Sequence, residues 1–279
     1  MQRSQSSPRS HYTGPVRAVI LDWAGTTLDY GSCAPLAAFI ETFKRAGVLI
    51  TPAEARQPMG RAKLDHIQEI LEMPAVAERW QQAKGRASSA DDCRRLYEAF
   101  LPVQLESLAD YAALIPGTLD LMKYCRAHEI KVGTSTGYSR ALMETLIPLA
   151  EKQGYAPDAM VCIDDVPEGR PAPWMQFENA KRLNVFPMES IVTVDDTRVG
   201  IQAGINAGTW TVAVAKTGNE VGLTETQIQR LPEQELDRRL AAAYERLCAA
   251  GAHYVVDGIA DLAAAIDEIN QRLAHGERP

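Results

Sequence analysis

Several apolar runs of this chain stop on oxygen-bearing side chains. "VRAVILD" ends at Asp22, "IKVGTST" at Ser135 and Thr136, and "SIVTVDD" at Asp195 and Asp196, while Arg170 stands in the loop "DDVPEGRPAPW". If the runs are strands of an open parallel sheet, the residues that end them gather where ligands bind, outside the carboxyl ends of the strands. Carboxylates from separate strands, with a backbone carbonyl, make an oxygen-only pocket suited to Mg²⁺, a hard cation that also takes phosphate oxygens. A carboxylate that both holds the cation and faces phosphorus can attack it, giving an aspartyl phosphate. One strand-end aspartate is ordinary turn or cap chemistry; the convergence of several carries the argument.

The elements that must position these groups follow from the pattern of apolar residues. Runs at 16–22, 130–136, 159–164, 190–196, 209–215 and 253–257 are apolar at nearly every position, and after residue 110 they alternate with helix-length connectors. Such runs suit strands covered on both faces, so the expected fold class is α/β with a doubly wound parallel sheet. Residues 31–110 read as helical instead. "PLAAFIETFKRAG" places Pro35 at a helix start, Leu36, Phe39, Ile40 and Phe43 on one stripe, and Gly47 as the stop. Thr51 and Glu54 have the spacing of a capping box. The expected organisation is a disordered tail over 1–15, an α/β core from 16–30 and 111–279, and an all-helical cap domain over 31–110. Residues 222–251 read as amphipathic helices packed on the core.

The bulk properties narrow the function. With 279 residues, 46% of them hydrophobic, the chain can bury a substantial core. A net charge of -7 argues against a nucleic-acid or anionic-membrane partner, which would call for a basic face. An anionic ligand must be met locally, by a few cations or a metal. The 5 cysteines fall in no metal-ligand spacing, which fits a reduced cytoplasmic setting. No apolar run has the length of a membrane span, and "MQRSQSSPRSHYTGP" has no apolar signal-peptide segment. No Gly-Lys dipeptide offers a P-loop, and no GxGxxG follows the first strand.

The segments "DWAGTTLD", "TST", Arg170 and the late acidic pair occur in an order that resembles the haloacid dehalogenase superfamily. The resemblance covers residues 16 to 215, and the helical insertion corresponds to a cap placed directly after that family's first motif. It implies that Asp22 is the nucleophile and a Mg²⁺ ligand, with the Ala24 carbonyl and Asp196 as further ligands and Asp195 as an alternative ligand or a support. It implies a phosphoryl contact from Ser135 or Thr136, between which the sequence does not choose, and a forked contact from Arg170. Backbone N–H groups of Gly25 and Thr26 are expected to approach the same phosphoryl group. Gly200 stands where some relatives carry another acid, so the surroundings of the metal are expected to be arranged differently.

Ala24 departs from the usual Asp-x-Asp motif, whose second acid protonates the leaving oxygen of a phosphate ester. A leaving group that is carbon needs no such acid. Breaking a C–P bond requires an electron sink, and a lysine condensed with a neighbouring aldehyde supplies one. Lys63, in "QPMGRAKLDHIQEI", is the candidate, and His66 lies three residues on along the same helix face. A histidine with a near-neutral pKa could take or shuttle the proton. "DWAGTTLDYGS", "PMGRAKLDHI", "TSTGY", "DDVPEGRPAPWM" and "NAGTWTV" together are similar to the C–P-cleaving members of the superfamily. That likeness implies hydrolysis of a small-molecule, aldehyde-bearing phosphonate, with Met59 and Gly60 shaping the cap surface and a homodimer formed through the caps. Tyr138 and Trp174 read as packing residues. The alternative is a phosphomonoesterase or phosphomutase on the same fold, against which Ala24 argues. A phospho-acceptor signalling module would leave the insertion and its lysine unexplained.

Overall fold

The computed structural model describes residues 11–279. Of the expected tail over 1–15, the first ten residues lie outside the described ones. The six apolar runs form one parallel sheet: β1 (Ala18–Leu21), β2 (Lys131–Thr136), β3 (Ala159–Cys162), β4 (Ile191–Asp195), β5 (Trp210–Val214) and β6 (Tyr254–Val256). Their order is β3-β2-β1-β4-β5-β6. The order reverses between β1 and β4, the switch point at which doubly wound sheets bind ligands.

The runs are apolar throughout because both faces of the sheet are covered. Val19 and Leu21 of β1 join one buried cluster, whereas Ala18 and Ile20, pointing the other way, join another. The first cluster is completed by α6 (Thr118–Ala127), α7 (Arg140–Glu151) and α12 (Leu262–Ala274). The second face carries α8 (Trp174–Leu183) and α9 (Arg198–Ala207). Residues 222–251 form α10 (Glu225–Arg230) and α11 (Glu233–Ala249), which bury Ile228, Ala243 and Leu247 against the core.

Between β1 and β2 the chain builds α1 (Cys33–Arg45), α2 (Pro52–Arg56), α3 (Lys63–Glu72), α4 (Pro74–Lys84) and α5 (Ala90–Leu108). These helices enclose a core of their own, with Phe39, Phe43, Ile67, Ile70, Trp80, Leu96 and Phe100 buried together. The capping box at α2 is formed in both directions, Glu54 N donating to Thr51 Oγ1 and Thr51 N to Glu54 Oε2. α1 starts ahead of Pro35 because the Asp29 carboxylate accepts the amides of Cys33 and Ala34, each at 3.0 Å. Those amides would otherwise be unpaired at a helix start. Asp29 thus fixes the angle at which the insertion leaves the core.

Phe100 stacks on Phe39 with ring centroids 4.4 Å apart. Phe100→Ala is expected to destabilise the insertion by about 3–5 kcal/mol. Leu49→Ala, at a position 68% exposed, should stay within about 0.5 kcal/mol of the parent. Denaturant titration followed by circular dichroism distinguishes the two.

Candidate active site

Because Leu21 of β1 lies opposite Val194 of β4, the chain leaves both strands at one level. Asp22 follows β1, its amide donating to Val194 O at 2.9 Å. Asp195 ends β4, and Asp196 follows it. One carboxylate oxygen from each of the three lies within 4.8 Å of the others, and all three residues are buried. Anions this close, out of water, remain charged together only if cations face them. Burial, reinforced by Asp22 and Asp195, holds the Asp196 carboxyl well above the usual carboxylate range. Burial lifts Asp195 to about 6, although the Arg170 guanidinium pulls it down.

Arg170 supplies one cation. Its Nη2 donates to Asp22 Oδ1 at 2.7 Å and to both Ser135 O and Ser135 Oγ at 2.9 Å. It stands 3.1 Å from Asp195 Oδ2. Asp195 is held further by Thr197, whose amide and hydroxyl donate to its Oδ1 at 2.9 and 2.6 Å. A Cβ at residue 200 would stand 1.9 Å from Asp195 Cγ, so the Asp195 carboxylate occupies the space left by Gly200. Asp196 is the less satisfied acid. Its Oδ2 accepts from the Asn219 amide at 2.7 Å, and its Oδ1 is buried with no partner among the described residues.

A buried carboxylate oxygen without a donor, facing a second acid, is a position that a hard cation would satisfy. The donor set therefore fits a divalent metal. Asp22 and Asp196 are the residues placed to hold it, and Ala24 lines the same cavity. Asp195 belongs to the same cluster, with Oδ1 engaged by Thr197 and Oδ2 facing Arg170 without a hydrogen bond among the described residues.

Ser135 and Thr136 differ in their contacts. Ser135 gives both oxygens to Arg170, whereas Thr136 lines the cavity with Asp22 and Lys63, its Oγ1 accepting the Tyr138 amide at 3.1 Å. The expectation for Gly25 and Thr26 is corrected. Their amides donate to Leu28 O at 2.8 Å and Trp23 O at 3.2 Å, so the turn consumes them. The preceding amides, of Trp23 and Ala24, have no acceptor among the described residues.

The helical insertion supplies the other wall. Lys63 opens α3 and is 5% exposed. Its Nζ lies 4.9 Å from the ring centre of Tyr138 and 5.3 Å from that of Phe39. Burial lowers its pKa to about 8 against the pull of Asp22, so much of it is free amine in mildly alkaline solution. His66 stacks on Phe39 at 3.9 Å, and its Nε2 lies 2.8 Å from Ala55 O. A carbonyl only accepts, so Nε2 carries the hydrogen and Nδ1, buried without a partner among the described residues, is the free base atom. The expected near-neutral pKa is corrected: burial, then the Lys63 charge, pushes His66 well below its usual value.

Met59 and Gly60 line the cavity beside Lys63. Gly60 has φ +92, and a Cβ there would stand 2.3 Å from Thr197 Oγ1, so the backbone of the insertion rests on the core at this point. Tyr138, read from sequence as packing, also lines the cavity. Among the described residues its hydroxyl makes no hydrogen bond of standard geometry, nor do the two ends of the buried Gln104 side-chain amide on α5. The signal for Gln104 was a lone polar residue beside the buried apolar stripe of Leu96, Phe100 and Val103. Trp174 is 44% exposed and packs edge-on to Phe177. The free space at the site is about 20 Å³, room for about one water. A larger ligand enters only if the insertion moves.

The haloacid dehalogenase-like hydrolase family model matches residues 16–208. The chain is 49% identical to a phosphonoacetaldehyde hydrolase of Syntrophobacter fumaroxidans over 268 residues, 96% of this chain and 97% of that protein. It is 47% identical to one of Paraburkholderia phytofirmans, covering 95% and 99% of the two chains. The crystal structure of a phosphonoacetaldehyde hydrolase-like protein from Oleispira antarctica superposes with a TM-score of 0.96 at 44% identity, covering 98% of this chain and 99% of that one.

Mg²⁺ is expected to raise the melting temperature of the protein by several degrees. A ligand at a hundred times its Kd stabilises by about 2.7 kcal/mol. Asp196→Asn should remove that response while Ser135→Ala retains it; differential scanning fluorimetry over a Mg²⁺ series reads both.

Proposed function

The chain belongs to the haloacid dehalogenase-like hydrolase family, and from that premise we propose that it hydrolyses the C–P bond of phosphonoacetaldehyde to acetaldehyde and phosphate. The observation that carries the reading is Lys63: a buried amine with its pKa lowered to about 8, in one cavity with Asp22 and Ala24. A phosphatase has no use for such a lysine, and an ester substrate would call for an acid where Ala24 stands.

In this reading residues 31–110 act as a cap over the core. The Lys63 amine adds to the substrate aldehyde, and loss of water leaves an iminium. His66 Nδ1, the free base atom, takes the proton that the Lys63 ammonium releases and returns it to the carbinolamine hydroxyl, which leaves as water. An Asp22 oxygen attacks phosphorus as the C–P bond breaks, and that electron pair moves into the iminium to give an enamine. Protonation of the enamine carbon and hydrolysis of the imine free acetaldehyde and Lys63, and water cleaves the aspartyl phosphate.

Thr136, Arg170 and the amides of Trp23 and Ala24 are the groups available to the phosphoryl oxygens. Held by Asp22, Asp196 and the Ala24 carbonyl, Mg²⁺ would offset charge on the transferring phosphoryl group. Met59 and Gly60 close the cavity over the reacting carbon and exclude water. The same reading includes a homodimer through the caps, which light scattering tests, and a cytoplasmic enzyme of phosphonate breakdown.

Borohydride added with substrate should inactivate the enzyme and place the reduced adduct on Lys63, located by peptide mass spectrometry. Phosphate release without trapping would overturn the lysine mechanism, and cleavage of simple phosphate esters in its place would favour the phosphatase reading. Lys63→Ala should lose at least about 10³-fold in kcat, and His66→Asn about 10²–10⁴-fold.

The Lys63 pKa is lowered, so the reactive amine accumulates as pH rises through about 8. The rate of borohydride trapping should climb over that window and level off above it. A profile flat from pH 7 to 9 would show that a different group limits imine formation.

A further inference from the structure

Arg56, the last residue of α2, carries its guanidinium out of the insertion and into the core. Its Nη1 donates to Gly31 O at 2.9 Å, Ser32 O at 3.3 Å and Asn219 Oδ1 at 3.0 Å. Its Nη2 donates to Gly222 O at 2.9 Å. Asn219 reciprocates, Nδ2 to Arg56 O at 3.4 Å, and its backbone amide is the donor that reaches Asp196 Oδ2 at 2.7 Å. The cation is therefore met by carbonyl dipoles in a planar fork, which suits a guanidinium and not an ammonium.

The seat is built for this side chain. Gly222 has φ +67, and a Cβ there would stand 2.7 Å from Arg56 Nε. A Cβ at Gly31 would stand 2.4 Å from Leu223 O, so the connector into the insertion and the loop after β5 lie against each other beside the guanidinium. Asn219 is 7% exposed, and burial strengthens polar contacts that water would otherwise compete for.

We propose that Arg56 and Asn219 are a latch that holds the insertion closed over Asp22, making them positioning residues for the reaction. The bonds from Arg56 to Asn219 and Gly222 run between insertion and core, so they must break when the site opens and reform when it shuts. Because the Asn219 amide also sits on Asp196, the latch is fastened to a carboxylate of the site itself, and closure and site occupancy share one loop. The proposal rests on the reading that Lys63 must be brought onto a substrate held at Asp22, but the latch can be tested with no substrate present.

The test uses the full chain and its Arg56→Ala, Arg56→Lys and Asn219→Ala variants. Without substrate, one measures reductive methylation of Lys63 by formaldehyde and cyanoborohydride, and amide hydrogen exchange over 29–33 and 218–223. Arg56→Ala should raise both rates roughly tenfold or more, the scale of lost hydrogen bonds to a charged group. Arg56→Lys, which keeps the charge but loses the fork, should lie between, and Asn219→Ala should follow Arg56→Ala.

In turnover, phosphate release from phosphonoacetaldehyde should show the same rank order in kcat/KM. Unchanged methylation and exchange in a folded Arg56→Ala protein overturn the latch. So does faster exchange spread evenly over the whole chain, which marks a merely structural role. If the parent releases no phosphate, the functional reading fails, and the substrate-free rates still decide the latch.

Discussion

Three carboxylates packed out of water at the end of two adjacent strands are the constraint on which the rest of the structure depends. Asp22, Asp195 and Asp196 are too close, and too well buried, to stay charged unaided. Arg170 answers part of this, binding Asp22 and facing Asp195 while Ser135 holds the guanidinium in place. Asp196, with a donor for only one of its oxygens, is where the balance is left open. An arrangement that unfavourable suits a bound cation.

The insertion solves a different problem with the same means. In the proposed reaction Lys63 acts as an amine, and removing it from water disfavours its ammonium, while Asp22 works in the opposite direction. Burial is the larger effect. It also acts on His66, whose stacking on Phe39 and bond to Ala55 fix the ring and leave Nδ1 as the open base atom. His66 is buried among residues of the insertion itself, whereas Lys63 also faces Tyr138 of the core. The contacts of Arg56 with Asn219 and Gly222 join the insertion to the core beside that site.

Much of this was legible in the sequence. Strands buried on both faces must be apolar at every position, so all six were readable, and a parallel sheet brings whatever ends its strands to one edge. That rule put Asp22, Ser135, Thr136, Asp195 and Asp196 at one edge without choosing between Ser135 and Thr136, and the missing acid at Ala24 pointed to the lysine. The failures share a cause. Gly25 and Thr26 were assigned amides that the turn itself consumes, because hydrogen bonding inside a loop depends on a conformation that composition does not reveal. The pKa of His66 depended on how deeply it is buried, and Tyr138 lines the cavity only because core and insertion meet there.

The sequence by itself determined the sheet, the helical insertion and the identity of the groups that can attack phosphorus or form an imine. Periodicity and residue chemistry are local properties and survive without a fold. Which of those groups is engaged and which is free was decided only by the tertiary structure. Ser135 became an anchor for Arg170 and Thr136 a wall of the cavity, and Asp195 gained bonds from Thr197 that Asp196 does not have. Arg56 gained its place at the junction of insertion and core. Engagement is set by distance and desolvation between residues far apart in the chain, and those quantities come into being only when the chain has folded.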